Sequence, residues 1–99
     1  MKISCVAIDD EPLALDYMET LLKSVPGVSV VSRCRSGREA LITLQKQSVD
    51  LMFLDVQMPG LNGFEVVKRC QGDTMPVVIF ATAYDEYAVR AFEENEANY

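Results

Sequence analysis

Ile3-Ser4-Cys5-Val6-Ala7-Ile8-Asp9-Asp10 is a nearly unbroken apolar run that stops on two adjacent acids. A second run, Val49-Asp50-Leu51-Met52-Phe53-Leu54, stops in the same way on Asp55. Short runs without clean alternation are expected of parallel strands covered on both faces. If these two are neighbours in one sheet, three carboxylates meet at a single sheet edge, which is how a divalent-metal site is built beside a reactive aspartate.

Working outward, Val28 to Val31 and Met75 to Ala81 supply two further strand-like segments, and the intervals between segments have helix length. Pro12 suits the first turn of a helix, Leu13, Tyr17 and Leu21 recur at helical spacing behind it, and Pro26-Gly27 ends it. Ser36-Gly37-Arg38-Glu39 has the form of a capping box, with Ala40, Leu41 and Leu44 as a packing stripe, so a second helix runs to about Gln47. Gly60-Leu61-Asn62-Gly63 turns the chain into a shorter third helix carrying Phe64, Val67 and Lys68 and ending near Gly72. Asp85 is placed to cap a fourth, with Tyr87, Ala88, Ala91 and Phe92, and Tyr99 begins a fifth strand.

Strand and helix thus alternate four times, predicting a doubly wound α/β domain, because right-handed crossovers and helices on both faces leave few other arrangements. In the flavodoxin-like strand order 2-1-3-4(-5), the carboxyl ends of the first and third strands flank the topological switch point. Asp9, Asp10 and Asp55 all fall there.

The 99 residues suit one domain, residues 1–99. Fifteen acids against nine Lys and Arg give a formal charge of −6, which argues against this segment gripping nucleic acid or anionic lipid. No apolar run approaches a membrane span, and Met1-Lys2-Ile3 leads directly into an acid-terminated strand, so the expected location is cytoplasmic. Cys5, Cys34 and Cys70 are far apart, have no histidine to join them and lack metal-ligand spacing, and are read as reduced packing residues. A fourth strand buried on both faces wants a further neighbour, and little follows it; the chain is expected to be a domain incomplete at its C-terminus, or to borrow a strand from a partner.

Three carboxylates at one edge repel one another, and a bound cation offsets that cost; hard oxygen ligands suit Mg²⁺. The competing structural explanation is that each acid caps the helix after its strand, as Asp10 could before Glu11-Pro12. The combination of Asp9, Asp10 and Asp55 with the turn Val56-Gln57-Met58-Pro59-Gly60 favours the metal pocket.

These segments resemble a two-component response-regulator receiver domain of the CheY-like superfamily. The resemblance is carried by Asp9-Asp10-Glu11-Pro12, by residues 53–63 (Phe-Leu-Asp-Val-Gln-Met-Pro-Gly-Leu-Asn-Gly) and by residues 76–83 (Pro-Val-Val-Ile-Phe-Ala-Thr-Ala). Residues 83–93 look like receivers that precede a LytTR-type DNA-binding domain. The resemblance implies that Asp55 accepts a phosphoryl group from a sensor histidine kinase, with Asp10 and Asp55 binding Mg²⁺, Asp9 contacting it through water, and the Gln57 backbone carbonyl supplying another oxygen. It implies further that the Thr82 hydroxyl turns toward the phosphoryl group and that Tyr99 is the aromatic switch moving with it. The chain is then a signalling module, not an enzyme, that controls an output domain outside these residues.

The family's pattern continues beyond the position of Tyr99 into a phosphate-contacting Lys, a Pro and a last helix, which this sequence does not reach. Two other readings follow. One is a receiver-like interaction module without effective phosphotransfer, with homodimer formation or strand exchange through the open sheet edge. The other is a Mg²⁺-dependent phosphohydrolase using Asp55 transiently, weakened because Gln57 stands where the haloacid-dehalogenase pattern has a second acid.

Overall fold

The computed structural model describes residues 2–70 and 75–81. They form β1 (Ile3–Ile8), α1 (Pro12–Lys23), β2 (Val28–Cys34), α2 (Gly37–Lys46), β3 (Leu51–Leu54), α3 (Gly63–Arg69) and β4 (Val77–Phe80). The four strands make one sheet in the order β2-β1-β3-β4, and every pairing is parallel. This is the doubly wound, flavodoxin-like topology expected, with β1 and β3 as central neighbours. The proposed fourth helix and fifth strand lie outside the described residues.

Cys5, Val6, Ala7 and Ile8 of β1 are all fully buried. Their side chains divide between two cores. Val6 and Ile8, with Met52 and Leu54 of β3, pack beneath α2 and α3 against Ala40 and Val66. Cys5 and Ala7 pack beneath α1 against Leu15, Met18 and Leu22. Two-sided cover is what removes the alternation from the sequence. β4 departs from the expectation of burial on both faces: Val78 and Phe80 pack against the α2/α3 core, while Val77 and Ile79 are exposed.

Helix α1 forms as the spacing predicts, but it buries a different stripe from the one that marks it in the sequence. Leu13, Tyr17 and Leu21 do share a stripe, but it points to solvent, with Leu13 81% and Tyr17 66% exposed. The buried stripe is Leu15, Met18 and Leu22. Two physical reasons favour it. Burying Tyr17 would require a partner for its hydroxyl, and the observed rotation also lets Arg33 of β2 donate to Asp16 at 2.7 Å and to Glu19 at 3.2 Å.

Arg33 can reach α1 because β2 carries a bulge. Cys5 pairs with Val30 and Val6 with Ser32, leaving Val31 unpaired. An extra residue reverses which face the following side chains take. Val28 and Val30 therefore lie on the α1 side, whereas Cys34 joins the α2/α3 core. All three cysteines are free, and burial raises the pKa of each thiol, which suits packing residues.

Candidate functional site

The acids lie just past the ends of β1 and β3. The parallel ladder continues beyond both strands: Asp9 N–H donates to the Cys34 carbonyl and Asp55 N–H to the Ile8 carbonyl, each at 3.0 Å. These bonds hold the acid-bearing backbone segments side by side. One carboxylate oxygen from each of Asp9, Asp10 and Asp55 lies within 4.8 Å of the others.

The helix-capping explanation does not account for this cluster. The N-cap of α1 is Glu11, and no side chain caps it. Asp9 instead accepts the Glu11 N–H at 3.0 Å in a short turn that leads the chain from strand to helix. Asp55 accepts the Gln57 N–H at 3.4 Å, at the weak limit of a hydrogen bond. The three acids therefore retain acceptor capacity toward their common space.

Their electrostatics match a cation site. Asp9 is only 5% exposed, while Asp10 and Asp55 are half-buried. Burial pushes the Asp9 carboxyl up to about 6; the Glu11 amide opposes this, and the charges of Asp55 and Asp10 add to it. Burial likewise raises Asp55, opposed by the Gln57 amide and reinforced by Asp10. A divalent ion would relieve both causes at once, and an all-carboxylate donor set suits a hard cation. The residues present fit such an ion.

The loop from Asp55 to α3 forms the rest of the edge. Val56 and Met58 are buried and anchor it, while Gln57 is exposed. Gly60 turns with φ +77, in the left-handed region. Asn62 then caps α3 reciprocally: its side chain accepts the Glu65 N–H at 2.9 Å, and Glu65 accepts the Asn62 N–H at 3.0 Å. Asn62 was not among the residues expected to shape the site, although Asn-x-x-Glu over 62–65 carries the signal. At α2 the expected capping box is half formed. Ser36 accepts the Glu39 N–H at 3.1 Å, but the Glu39 carboxylate takes the N–H of Arg35.

An open depression of about 390 Å³ is lined by Val56, Gln57, Met58 and Asn62 of this loop, and none of the three acids lines it. Of the residues singled out in the sequence, Asp9, Asp10 and Asp55 are brought together and Gln57 lies in the adjoining loop. Thr82 and Tyr99 lie outside the described residues.

The family model described as "Response regulator receiver domain" matches residues 5–99. Among curated proteins, an uncharacterised response regulatory protein of Yersinia pestis is 39% identical over 94 residues, covering 95% of this chain and 40% of that protein. Transcriptional regulatory protein BtsR of Salmonella typhi is 38% identical over 97 residues, covering 98% of this chain and 41% of that one. The chain thus spans about two fifths of the length of these relatives. The response regulatory domain of mrkE from Klebsiella pneumoniae superimposes with a TM-score of 0.80 at 31% identity, covering 94% of this chain and 77% of that domain.

Proposed function

Because the chain belongs to the response-regulator receiver family, we propose that it is the phosphoacceptor module of a two-component system, with Asp55 taking a phosphoryl group from a sensor histidine kinase. The observation that carries this reading is the convergence of Asp9, Asp10 and Asp55 within 4.8 Å at the open edge of the sheet.

An Asp55 carboxylate oxygen attacks phosphorus as the donor's phosphorus–nitrogen bond breaks, forming an acyl phosphate and returning the electron pair to the imidazole. Asp55 is suited to this by position: its backbone is held by Ile8, while its side chain is only half-buried at the carboxyl end of the sheet. Asp10 and Asp55 would hold Mg²⁺ directly, Asp9 through water, and Gln57 through its backbone carbonyl. When bound, the ion supplies the positive charge that lets a phosphoryl group approach three carboxylates. Asp9 also keeps the β1–α1 turn in place through its bond to Glu11.

On the same reading, Thr82 and Tyr99 form the switch pair and residues 1–99 act as one receiver module. The module controls an output domain, taken from the likeness of residues 83–93 to be a DNA-binding domain of LytTR type; the transcriptional regulatory name of BtsR and the greater length of the relatives support a transcriptional output without specifying its type. Among the described residues no helix is long and apolar enough to cross a membrane, and we assign the module to the cytoplasm beside its kinase.

The test is incubation with Mg²⁺ and acetyl phosphate, followed by intact mass. Wild type should gain one phosphoryl group and Asp55→Asn none. Equal incorporation in the variant would remove Asp55 from the role.

A further inference from the structure

Two glycines begin helices at very close quarters. Gly63, the first residue of α3, has the Asp55 carbonyl oxygen 2.6 Å and the Val56 Cα 2.9 Å from where a Cβ would stand. Gly37, the first residue of α2, has Cγ2 of Val66 at 2.6 Å, Cβ of Leu61 at 2.8 Å and the Leu61 carbonyl oxygen at 2.9 Å from the corresponding point. Both glycines are buried.

These contacts form a chain. The first turn of α2 bears on Leu61, Leu61 stands two residues before Gly63, and Gly63 bears on the backbone of Asp55. Each end is tied down. Ser36 caps α2 through the Glu39 N–H. Gly63 N–H donates to the Val56 carbonyl at 2.8 Å, and Asp55 N–H donates to Ile8 at 3.0 Å. A packed interior transmits strain instead of absorbing it, so a displacement of Leu61 is passed to the backbone that carries the Asp55 carboxylate.

We propose that Gly37 is a positioning residue for phosphoryl transfer: the missing side chain at the start of α2 lets Leu61 and Gly63 seat where they hold Asp55 in its reactive alignment. The inference rests on the reading of Asp55 as phosphoacceptor. Gly37 itself touches no reacting atom. It acts through the β3–α3 loop, which makes the packing of α2 against α3 a determinant of acceptor geometry.

The experiment compares initial rates of phosphorylation by acetyl phosphate in saturating Mg²⁺ for wild type, Gly37→Ala, Gly37→Ala/Val66→Ala and Leu22→Ala. Folding of each is verified by urea titration. Leu22 lies in the α1 core, away from the loop, and its truncation lowers stability without touching the chain of contacts. Alignment errors well under an ångström are expected to slow Gly37→Ala about tenfold, with Leu22→Ala within about twofold of wild type at equal occupancy of the folded state. Removing Val66 Cγ2 gives α2 room to move off the loop, so the double variant should recover part of the rate. A folded Gly37→Ala that reacts as fast as wild type overturns the proposal, as does a folded double variant no faster than the single. If Gly37→Ala does not fold, the double variant carries the test, and a wild-type rate in it combined with unchanged amide shifts at Asp55 and Gly63 also overturns the proposal. Failure of wild type to be labelled at all would instead remove the Asp55 reading, and this inference with it.

Discussion

Asp55 donates its backbone N–H to the carbonyl of Ile8 at 3.0 Å, one step past the last paired residues, Ile8 and Leu54. That bond extends the parallel ladder between the two central strands beyond their ends, and the first residues freed from it are acids. Repulsion among them is built into the register. Burial raises the proton affinity of Asp9 and Asp55, and the repulsion, which cannot relax by separating the chains without breaking the ladder, adds to it.

Stability without divalent metal should therefore fall as pH rises through the acid range. A carboxyl whose folded pKa lies above its unfolded value holds its proton more tightly when folded. Its relative stabilisation is complete below about 4 and is lost as pH rises toward the folded value. For Asp9, with a folded pKa of about 6, the loss spans roughly pH 4 to 6 and amounts to about 3 kcal/mol at most. Urea midpoints of wild type and Asp9→Asn should diverge across that window in the variant's favour. A gap that stays constant with pH would show that Asp9 is not strained by its surroundings.

Divalent cation should reverse the effect. A ligand that binds only the folded state at about a hundredfold excess over its Kd adds roughly 2.7 kcal/mol. Thermal unfolding in Mg²⁺ at neutral pH should show a higher midpoint for wild type, with most of the gain lost in Asp10→Asn. Equal gains in both proteins would place the ion elsewhere.

The two apolar stripes of α1 make opposite predictions. Leu15 is 1% exposed and Leu13 is 81% exposed. Leu15→Ala should cost roughly 2–5 kcal/mol, the range for a leucine removed from a packed core. Leu13→Ala should stay within about 0.5 kcal/mol. Comparable losses in urea titrations of the two variants would mean that α1 is rotated from the position described.

This pair also marks where the sequence stops being readable. The ends of β1 and β3 were legible because full burial erases alternation and an acid cannot continue such a strand; the cluster of Asp9, Asp10 and Asp55 followed from adjacency alone. The rotation of α1 was not legible, since Leu13, Tyr17 and Leu21 satisfy helical spacing as well as Leu15, Met18 and Leu22. What distinguishes them lies outside the spacing: the cost of burying the Tyr17 hydroxyl, the packing of Leu15, Met18 and Leu22 against β1, and the contacts of Arg33 with Asp16 and Glu19. Nor was the bulge at Val31. β2 runs on to Cys34, past its expected end at Val31, because an edge strand with a bulge tolerates Ser32 and Arg33. Asn62 was readable in principle, since Asn-x-x-Glu over 62–65 has the form of a capping box, but Gly60-Leu61-Asn62-Gly63 satisfies the pattern of a plain turn equally well.

Gly60 and Gly63 stand three residues apart in one loop and should fail differently. A Cβ at Gly60 meets nothing within 4 Å, but its φ of +77 is unfavourable for a residue with a side chain, so Gly60→Ala should cost about 1–2 kcal/mol through the backbone alone. At Gly63 the obstacle is the Asp55 carbonyl at 2.6 Å. Backbone cannot swing aside as a side chain can, so Gly63→Ala must displace either α3 or the acceptor; overpacking of this kind costs about 1–3 kcal/mol. The two stability losses overlap, and the phosphorylation rate separates them. At matched folded fraction, Gly60→Ala should react with acetyl phosphate at close to the wild-type rate, whereas Gly63→Ala should be slower by about tenfold or more, as misalignment of a reacting group requires. Equal rates in the two variants would mean that α3 yields and the acceptor does not, which would disconnect the start of α3 from the chemistry at Asp55.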